Sequence, residues 1–359
     1  MENYFISGIQ QIGVGTVDME ASWKWYIEHF QIDIRILEDD TIAELMLPYT
    51  GNSPQKRHAC IAINMQGGGG LEIWQYSERK PQPVGFEVQV GDLGIFCAKI
   101  KSRDVGKLYA EIKTKYSNIS ELTVDPEGKP TFLVQDPWGN YFQIVQYKSI
   151  YVEEHRYAGG ALGCMIGVTD IDKALMVYRD ILGYDQIVYD KSGQFEDLKF
   201  MKGGDQNYRR VLLTHSKPRK GAFSEMLGHS WIELIVAMER TPIKIYEGRF
   251  WGDPGFIQIC FDVTSMDSLR NFCDSKGFPF TVDSSINKNN ADTFDMGDAA
   301  GRFAYIEDPD GTLIEFVETH KLPVIKKMGI NIDLRKRKRE KALPRFLLGF
   351  LRMNRYKIQ

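Results

Sequence analysis

Apolar and polar positions follow the same order four times along the chain. In each case an alternating run of strand type leads into a segment whose apolar residues recur at helical spacing. The first of these segments follows Asp18, a predicted helix cap. Counted from Trp23, its apolar residues stand at i, i+3, i+4 and i+7: Trp23, Tyr26, Ile27 and Phe30. Strand-like runs such as RHACIAIN and WIELIVA follow, bounded by turn-forming residues. The pattern predicts four βαβββ modules, with the later helices following Ser102, Asp170 and Ser265.

The two halves of the chain resemble each other. TVDMEASWKWYIEHFQID aligns with GVTDIDKALMVYRDILGYD, which pairs Asp18 with Asp170. Near the end of each half, DPWGNYFQIVQ aligns with DPDGTLIEFVE. An internal repeat of this length indicates a duplication. The predicted divisions are a first domain at 1–150, a second at 157–320 and a C-terminal extension at 321–359.

Composition is that of a globular protein, with 43% hydrophobic and 26% charged residues. The five cysteines are scattered and form no C-x-x-C pair. They therefore favour buried, reduced thiols in a cytoplasmic protein over a disulfide framework or a zinc site.

Charge is divided unevenly between the body and the extension. Residues 321–359 carry 13 of the 45 Lys/Arg and 2 of the 48 Asp/Glu, which leaves 32 basic and 46 acidic residues elsewhere. A body this acidic is not expected to bind nucleic acid. The basic run LRKRKREK precedes an apolar stripe, which consists of Leu343, Phe346, Leu347, Phe350 and Leu351. We expect the stripe to dock on the body; the alternatives are weak contact with an anionic membrane surface, nucleic acid or a partner protein. Oligomeric state stays open.

Two motifs recur at matching places in both halves. They are the strand–Asp–helix starts VDMEASWKWY and VTDIDKALMVYRDILG, and the endings DPWGNYFQI and DPDGTLIEF. This pattern resembles the vicinal-oxygen-chelate superfamily, which includes glyoxalase I, extradiol dioxygenases, methylmalonyl-CoA epimerase and bleomycin-resistance proteins. The resemblance covers roughly residues 5–320. It implies an α+β fold of two tandem glyoxalase-like domains, each with two paired βαβββ modules around an open barrel-like cleft.

The resemblance also implies where metal ligands would stand. In this family they come from the last strand of a module and from its first strand, seven residues before the helix cap. The first-strand positions are Gln11, Ile95, Gly163 and Gln258. The last-strand positions are Glu72, Gln143, Glu233 and Glu315. Ile95 and Gly163 offer no ligand atom, so one gap falls in each domain.

Taken domain by domain, these positions form two sets of three. The first domain offers Gln11, Glu72 and Gln143, and the second offers Glu233, Gln258 and Glu315. Oxygen ligands of this kind suit a divalent ion such as Mg²⁺, Mn²⁺, Ni²⁺ or Zn²⁺. The second set has two carboxylates and is predicted to be the better metal site. The alternative is that these residues line a wet cleft and hydrogen-bond one another.

The mixture of Gln and Glu is similar to that of the glyoxalase and epimerase branches. There a metal binds two adjacent substrate oxygens and stabilises an enediolate, while a carboxylate transfers the proton. The resemblance therefore implies a metal-dependent isomerase, epimerase or lyase acting on a small molecule, with Glu315 or Glu233 as the base. A non-catalytic binding protein of the bleomycin-resistance type is the alternative, because Ile95 and Gly163 interrupt the ligand pattern.

Two further expectations concern the cleft. Extradiol dioxygenase chemistry is disfavoured, since it needs two His and a carboxylate, and the family's His positions read Gly163 and Gln258. Trp74 and Trp251 are candidates for stacking on substrate, with Trp251 in a lid-like segment, RFWGDPGF. Packing of strand aromatics is the alternative.

Overall fold

The computed structural model describes residues 4–286, 294–295, 300–325 and 330–356, and the four predicted modules are present in it. The first comprises β1 (Phe5–Gly15), α1 (Met19–Phe30), β2 (Ile34–Ala43), β3 (Gln55–Ile63) and β4 (Gly70–Tyr76). The second comprises β5 (Gly94–Ser102), α2 (Val105–Lys113), β6 (Thr123–Val124), β7 (Pro130–Gln135) and β8 (Tyr141–Gln146). The third comprises β9 (Ala158–Gly167), α3 (Ile171–Tyr178), β10 (Gln186–Gly193), β11 (Tyr208–Thr214), α4 (Ser224–Leu227) and β12 (Trp231–Ala237). The fourth comprises β13 (Gly255–Thr264), α5 (Met266–Ser275), β14 (Val282–Asp283), β15 (Phe294–Asp295), β16 (Ala300–Glu307) and β17 (Leu313–Ile325). The extension adds β18 (Ile330–Asp333), α6 (Arg345–Gly349) and a 3₁₀ turn at Phe350–Asn354.

Aspartate side chains begin three of the module helices. Asp18 and Asp170 cap α1 and α3 as predicted, each accepting a hydrogen bond from a backbone N–H three residues on. Ser265 precedes α5 in a left-handed conformation (φ 62°) and makes no side-chain capping bond. The predicted starts of α1, α3 and α5 are thus confirmed.

The second helix begins later than the sequence analysis placed it. Its cap is Asp104, whose carboxylate accepts from the Lys107 N–H at 3.0 Å, whereas Ser102 is the last residue of β5. Counting seven residues back from Asp104 reaches Cys97 instead of Ile95. Ile95 packs in the core beneath the helices, and Cys97 faces the opposite side of the sheet. The counterpart of Gln11 in this module is therefore Cys97.

Each of the two curled sheets combines one module from each half of the chain. The first runs β14-β16-β17-β13-β1-β4-β3-β2, with β15 beside β16 and β18 beside β17. The second runs β10-β11-β12-β9-β5-β8-β7-β6. Antiparallel seams join the modules at β1–β13 and at β5–β9. We call modules one and four the outer unit, and modules two and three the inner unit.

The predicted α+β architecture of paired βαβββ modules is confirmed, but the modules are paired differently from the sequence analysis. From the sequence, the candidate ligands were predicted to form one set within each half of the chain. The sheet order instead brings the first and last modules together. The grouping fails because a repeat detected along the sequence does not say which modules share a sheet edge.

One apolar core lies under the helices of both units. It includes Tyr26 of α1, Leu108 of α2, Tyr178 of α3 and Leu269 of α5. Phe142 of the inner unit and Phe256 of the outer unit meet edge to face, with ring centroids 5.4 Å apart. All five cysteines are buried and free, as expected. The helices thus cover the convex faces, which leaves the concave faces for the candidate sites.

The extension docks on the body through part of its predicted apolar stripe. Leu343 and Leu351 are buried in a cluster with residues of the body, and Arg355 forms ion pairs with Asp33 and Glu154. For Phe346 and Phe350 the prediction of docking is wrong, because these two stripe residues are exposed, as is Met353. Contact of this exposed face with an anionic membrane surface stays a prediction. None of the helices in the described ranges has the length and apolar character needed to span a membrane.

Candidate functional site

Four predicted ligands meet on the concave face of the outer unit. Gln11 on β1, Glu72 on β4, Gln258 on β13 and Glu315 on β17 stand on four adjacent central strands. The Gln258 side-chain Nε2 donates to Glu72 Oε2 at 2.9 Å and lies 3.4 Å from Glu315 Oε2. The structure therefore builds one cluster from a Gln–Glu pair of the first half and a Gln–Glu pair of the second.

A cavity of about 370 Å³ opens over this cluster. Trp74, Trp251 and Tyr305 form aromatic walls. Arg57 is the one cationic side chain among the described lining residues, and it is paired with Asp39. The volume is that of a small-molecule site.

Among the described residues, no cationic side chain forms an ion pair with either of the two carboxyl groups; the charge of Arg57, which is paired with Asp39, lowers both pKa values only in part. Burial raises the pKa of Glu72 from its usual 4.5 to about 8, and repulsion by Glu315 adds to the shift. Burial also raises the pKa of Glu315, although hydrogen bonds from Cys260, Tyr305 and Gln258 oppose the rise. The pair consequently favours a bound proton or a bound cation.

The available donor atoms fit a hard divalent cation. Gln11 Oε1 is buried and has no hydrogen-bond partner among the described residues. Across those same ranges, no three His, Cys, Asp or Glu side chains are grouped as a metal site, so a cation here would also need the glutamine oxygens. Two carboxylates and two amide oxygens form a donor set of the kind that Mg²⁺ or Mn²⁺ prefers.

Trp251 orients one of the candidate ligands. Its indole Nε1 donates to Gln258 Oε1 at 3.0 Å, and its ring meets Trp74 edge to face with centroids 4.5 Å apart. The Tyr76 hydroxyl donates to the Trp251 carbonyl. Trp251 is thus a fixed, 6% exposed wall of the cavity. Trp74 lines the cavity as well, although it is fully buried.

Gly13 leaves the space that the Gln258 side chain occupies. A Cβ added at Gly13 would lie 2.7 Å from Gln258 Cδ. We expect Gly13→Ala to displace Gln258 and to weaken Mn²⁺ binding by about tenfold or more, measured by titration calorimetry. Gly85→Ala is the matched control, because a Cβ there meets nothing within 4 Å. Equal Mn²⁺ affinity in the two variants would contradict a role for Gln258.

The other two predicted ligands, Gln143 and Glu233, lie in the inner unit and are not brought to the cluster. Glu233 accepts from Arg210 Nε at 2.7 Å and pairs with Lys99 Nζ, also at 2.7 Å. Arg210 also donates to both oxygens of Asp197, at 2.6 and 3.0 Å. Gln143 bridges Lys99 and Asp197. Two buried cations therefore already occupy the place where a metal would neutralise Glu233.

Burial alone would raise the pKa of Glu233. The charges of Arg210 and Lys99 outweigh it and lower the pKa to about 2. Glu233 is therefore ionised at neutral pH as a partner in a salt-bridge network, with Tyr189 donating to it at 2.6 Å. Its sequence-based assignment as a base and metal ligand alongside Gln258 and Glu315 does not agree with this position.

The first-strand positions of the inner unit also lack ligand chemistry. Gly163 faces the Trp231 carbonyl so closely that a Cβ would lie 1.7 Å from its oxygen. Burial raises the pKa of the Cys97 thiol to about 12, which disfavours the thiolate needed for coordination. Both gaps noted in the sequence thus belong to a single unit.

Two residues of the outer cleft were missed by the sequence analysis. Tyr305 lies directly across from Glu315 in the β16–β17 pair and hydrogen-bonds its carboxyl group. Its place just before the DPDG turn could have indicated this. Arg57 stands on β3 with no motif around it, so only the sheet register reveals that it lines the cavity.

Comparison with known proteins agrees with this architecture. The sequence model of the Glyoxalase/Bleomycin resistance protein/Dioxygenase superfamily matches residues 8–144 and 161–316. No curated protein matches the chain. The solved structure of a mutant of glyoxalase I from Zea mays is 16% identical, covers 87% of this chain and 92% of its own, and gives a TM-score of 0.54. A putative dioxygenase from Bacillus subtilis is 12% identical, covers 88% and 86%, and gives a TM-score of 0.55.

At such identities the two solved structures show likeness of fold alone. The sequence model covers most of both halves of the chain, including every candidate ligand position. The chain belongs to the Glyoxalase/Bleomycin resistance protein/Dioxygenase superfamily.

Proposed function

We propose that the outer unit is a metal-dependent site for proton transfer next to a carbonyl group, of the glyoxalase or epimerase type. The observation that carries the proposal is the Glu72–Glu315 pair, which is bridged by Gln258 and opens on the cavity. Buried carboxyl groups with raised pKa values cost stability, and such groups are found most often at binding and catalytic sites. The substrate is a small molecule with two adjacent oxygens.

Four side chains would hold the ion. Glu72 and Glu315 supply charge, and Gln11 and Gln258 supply amide oxygens. A divalent ion bound there supplies Lewis-acid polarisation of the substrate oxygens. Trp251 fixes the Gln258 amide, because its indole N–H engages one lone pair of Oε1 and leaves the other free.

The base belongs to the same carboxylate pair. Glu315 is held by Tyr305, Cys260 and Gln258, whereas Glu72 has fewer hydrogen-bond donors around its carboxyl group and is freer to accept a proton. We therefore favour Glu72 over Glu315 as the proton acceptor. Glu72 takes the proton from the carbon beside the carbonyl, and the C–H electron pair moves towards the carbonyl oxygen. Return of this proton to the former carbonyl carbon, while the proton of the adjacent hydroxyl moves to the former carbonyl oxygen, gives isomerisation. Delivery of a proton to the opposite face of the original carbon, with Glu315 as the second acid, gives epimerisation.

The inner unit has no part in this chemistry. The case for a purely ligand-binding protein rested on two lost ligand positions, and both lie in that unit. The outer unit keeps a candidate ligand on each of its four central strands, and this favours the enzyme.

Proton exchange tests the proposal without knowledge of the natural substrate. In D₂O with Mn²⁺, we expect the chain to replace the carbon-bound protons beside the carbonyl of hydroxyacetone with deuterium, measured by ¹H NMR. Glu72→Gln should slow the exchange by about a hundredfold or more. Gln143→Leu, in the inner unit, is the control and should leave it unchanged. If hydroxyacetone bound but showed no metal-dependent exchange, the proposal of an enzyme would be wrong and a binding protein would be favoured.

A further inference from the structure

A second cavity of about 90 Å³ lies beside the cavity over the Glu72–Glu315 pair and is almost wholly apolar. The two cavities share part of their walls: Gln10, Leu37, Ile61 and Val317. No charged side chain lines the smaller one in the described part of the chain; its polar groups come from Gln10 and Thr319. The cleft thus has a polar end with carboxylates and an adjoining apolar end.

The shared apolar residues continue the rows that carry the candidate ligands. Ile61 on β3 is directly opposite Glu72 on β4, and Leu37 on β2 is opposite Ile61. Val317 stands two residues beyond Glu315 on β17, so both side chains face the same way. A molecule whose oxygens reach the carboxylates can therefore extend along the sheet onto aliphatic side chains.

The far end of the small cavity is closed by segments outside the sheet. Met226 and Leu227 of α4, together with Phe223, come from the segment between β11 and β12. Leu351 comes from the C-terminal extension and is buried against the same cluster. The docked extension therefore forms part of the wall of this cavity.

We propose that this cavity is an apolar subsite, and that the substrate joins a vicinal hydroxy-carbonyl group to an aliphatic substituent of about four carbon atoms. The inference rests on the proposed function for the position of the oxygens. A cavity lined by Leu, Ile, Phe and Met side chains takes apolar groups in preference to water. Each methylene group buried there strengthens binding about fourfold.

The test uses two series of probes, and within each series the members differ only in chain length. In Mn²⁺-loaded protein, alkyl hydroxamates from acetohydroxamate to octanohydroxamate present two adjacent oxygens, and calorimetry measures their affinity. We expect affinity to rise about fourfold per methylene over the first three or four methylenes and then to level off. Affinity that does not depend on chain length would overturn the subsite.

Filling the cavity provides the second measurement. Leu351→Phe, and independently Met226→Phe, should reduce the gain per methylene to less than twofold while acetohydroxamate binds as in the wild type. Phe350→Trp is the matched control, because Phe350 is adjacent in sequence but exposed. A chain-length gain that persists in both filled variants would place the alkyl group elsewhere.

Metal-free protein separates this inference from the proposed function. There, hexane-1,2-diol should bind at least about tenfold more tightly than propane-1,2-diol, because three more methylenes enter the cavity. If the protein did not bind Mn²⁺ but still preferred hexane-1,2-diol, the metal-dependent function would be wrong and the subsite would be supported. If the protein bound Mn²⁺ but its affinity did not depend on chain length in either series of probes, the subsite would be wrong and the metal site would be supported.

Discussion

Replacing Glu233 by Gln is expected to lower the free energy of unfolding by about 3–5 kcal/mol and to leave Mn²⁺ binding unchanged. The carboxylate is fully buried between Arg210 and Lys99, so its loss leaves two buried cations with only Asp197 to balance them. Urea denaturation at pH 7 measures the change. The folded pKa of about 2 lies below the usual 4.5, so the contribution of Glu233 is complete above pH 4.5 and is lost as the pH falls towards 2.

An exposed ion pair on the same sheet provides the control for this experiment. Asp190 and Arg209 are 2.7 Å apart with about two fifths of each side chain exposed. Asp190→Asn should change the free energy of unfolding by less than about 1 kcal/mol. If Glu233→Gln were equally mild, or if it abolished Mn²⁺ binding, the account of the inner unit as a structural salt-bridge network would be wrong.

Replacing Glu72 by Gln should have the opposite effect on stability. The folded pKa of about 8 lies above the usual 4.5, so the folded, metal-free protein holds a proton that the unfolded chain releases. Stability of the metal-free wild type should therefore fall as the pH rises from 4.5 to 8. A Gln side chain does not ionise, so the variant does not lose stability in this way as the pH rises. In the presence of EDTA at pH 8 we expect the variant to be more stable by on the order of 2 kcal/mol, and near pH 4.5 the two proteins should be nearly equal.

The same substitution should weaken Mn²⁺ binding by about tenfold to a hundredfold, because a ligand loses its charge. In the wild type the affinity for Mn²⁺ should rise with pH up to about 8, since the metal competes with the proton on Glu72. Denaturation and calorimetry on the same preparations give both quantities. Destabilisation by Glu72→Gln in EDTA would show that the carboxyl group is a structural one.

Much of the fold could be predicted from local patterns. The helices after Asp18 and Asp170 carry clear helical spacing, and each capping aspartate is a local feature of the sequence. The start of α2 was predicted two residues too early, because Ser102 and Asp104 are both residue types that cap helices. In the structure Ser102 is the last residue of β5, and Asp104 is the cap. Such a choice depends on strand pairing, which leaves no trace at the cap itself.

The candidate ligands were found one by one, but not their grouping. Gln11 and Glu315 are 304 positions apart in sequence, and they meet because β1 and β17 both flank β13. A duplicated sequence looks the same whether neighbouring modules or the first and last modules share a sheet. The salt-bridge network was likewise hidden, because Lys99, Asp197 and Arg210 come from three separate elements or turns.

The measurement that tests the central claim most directly is the number of Mn²⁺ ions bound per chain at saturation, in the wild type and in paired variants of the two units. Elemental analysis after equilibrium dialysis gives this number. The proposed function predicts one ion per chain, retained in Gln143→Leu and lost in the double variant Glu72→Gln/Glu315→Gln. Two ions per chain, or one ion that survives the double variant and disappears with Gln143→Leu, would contradict a single site built from the first and last modules.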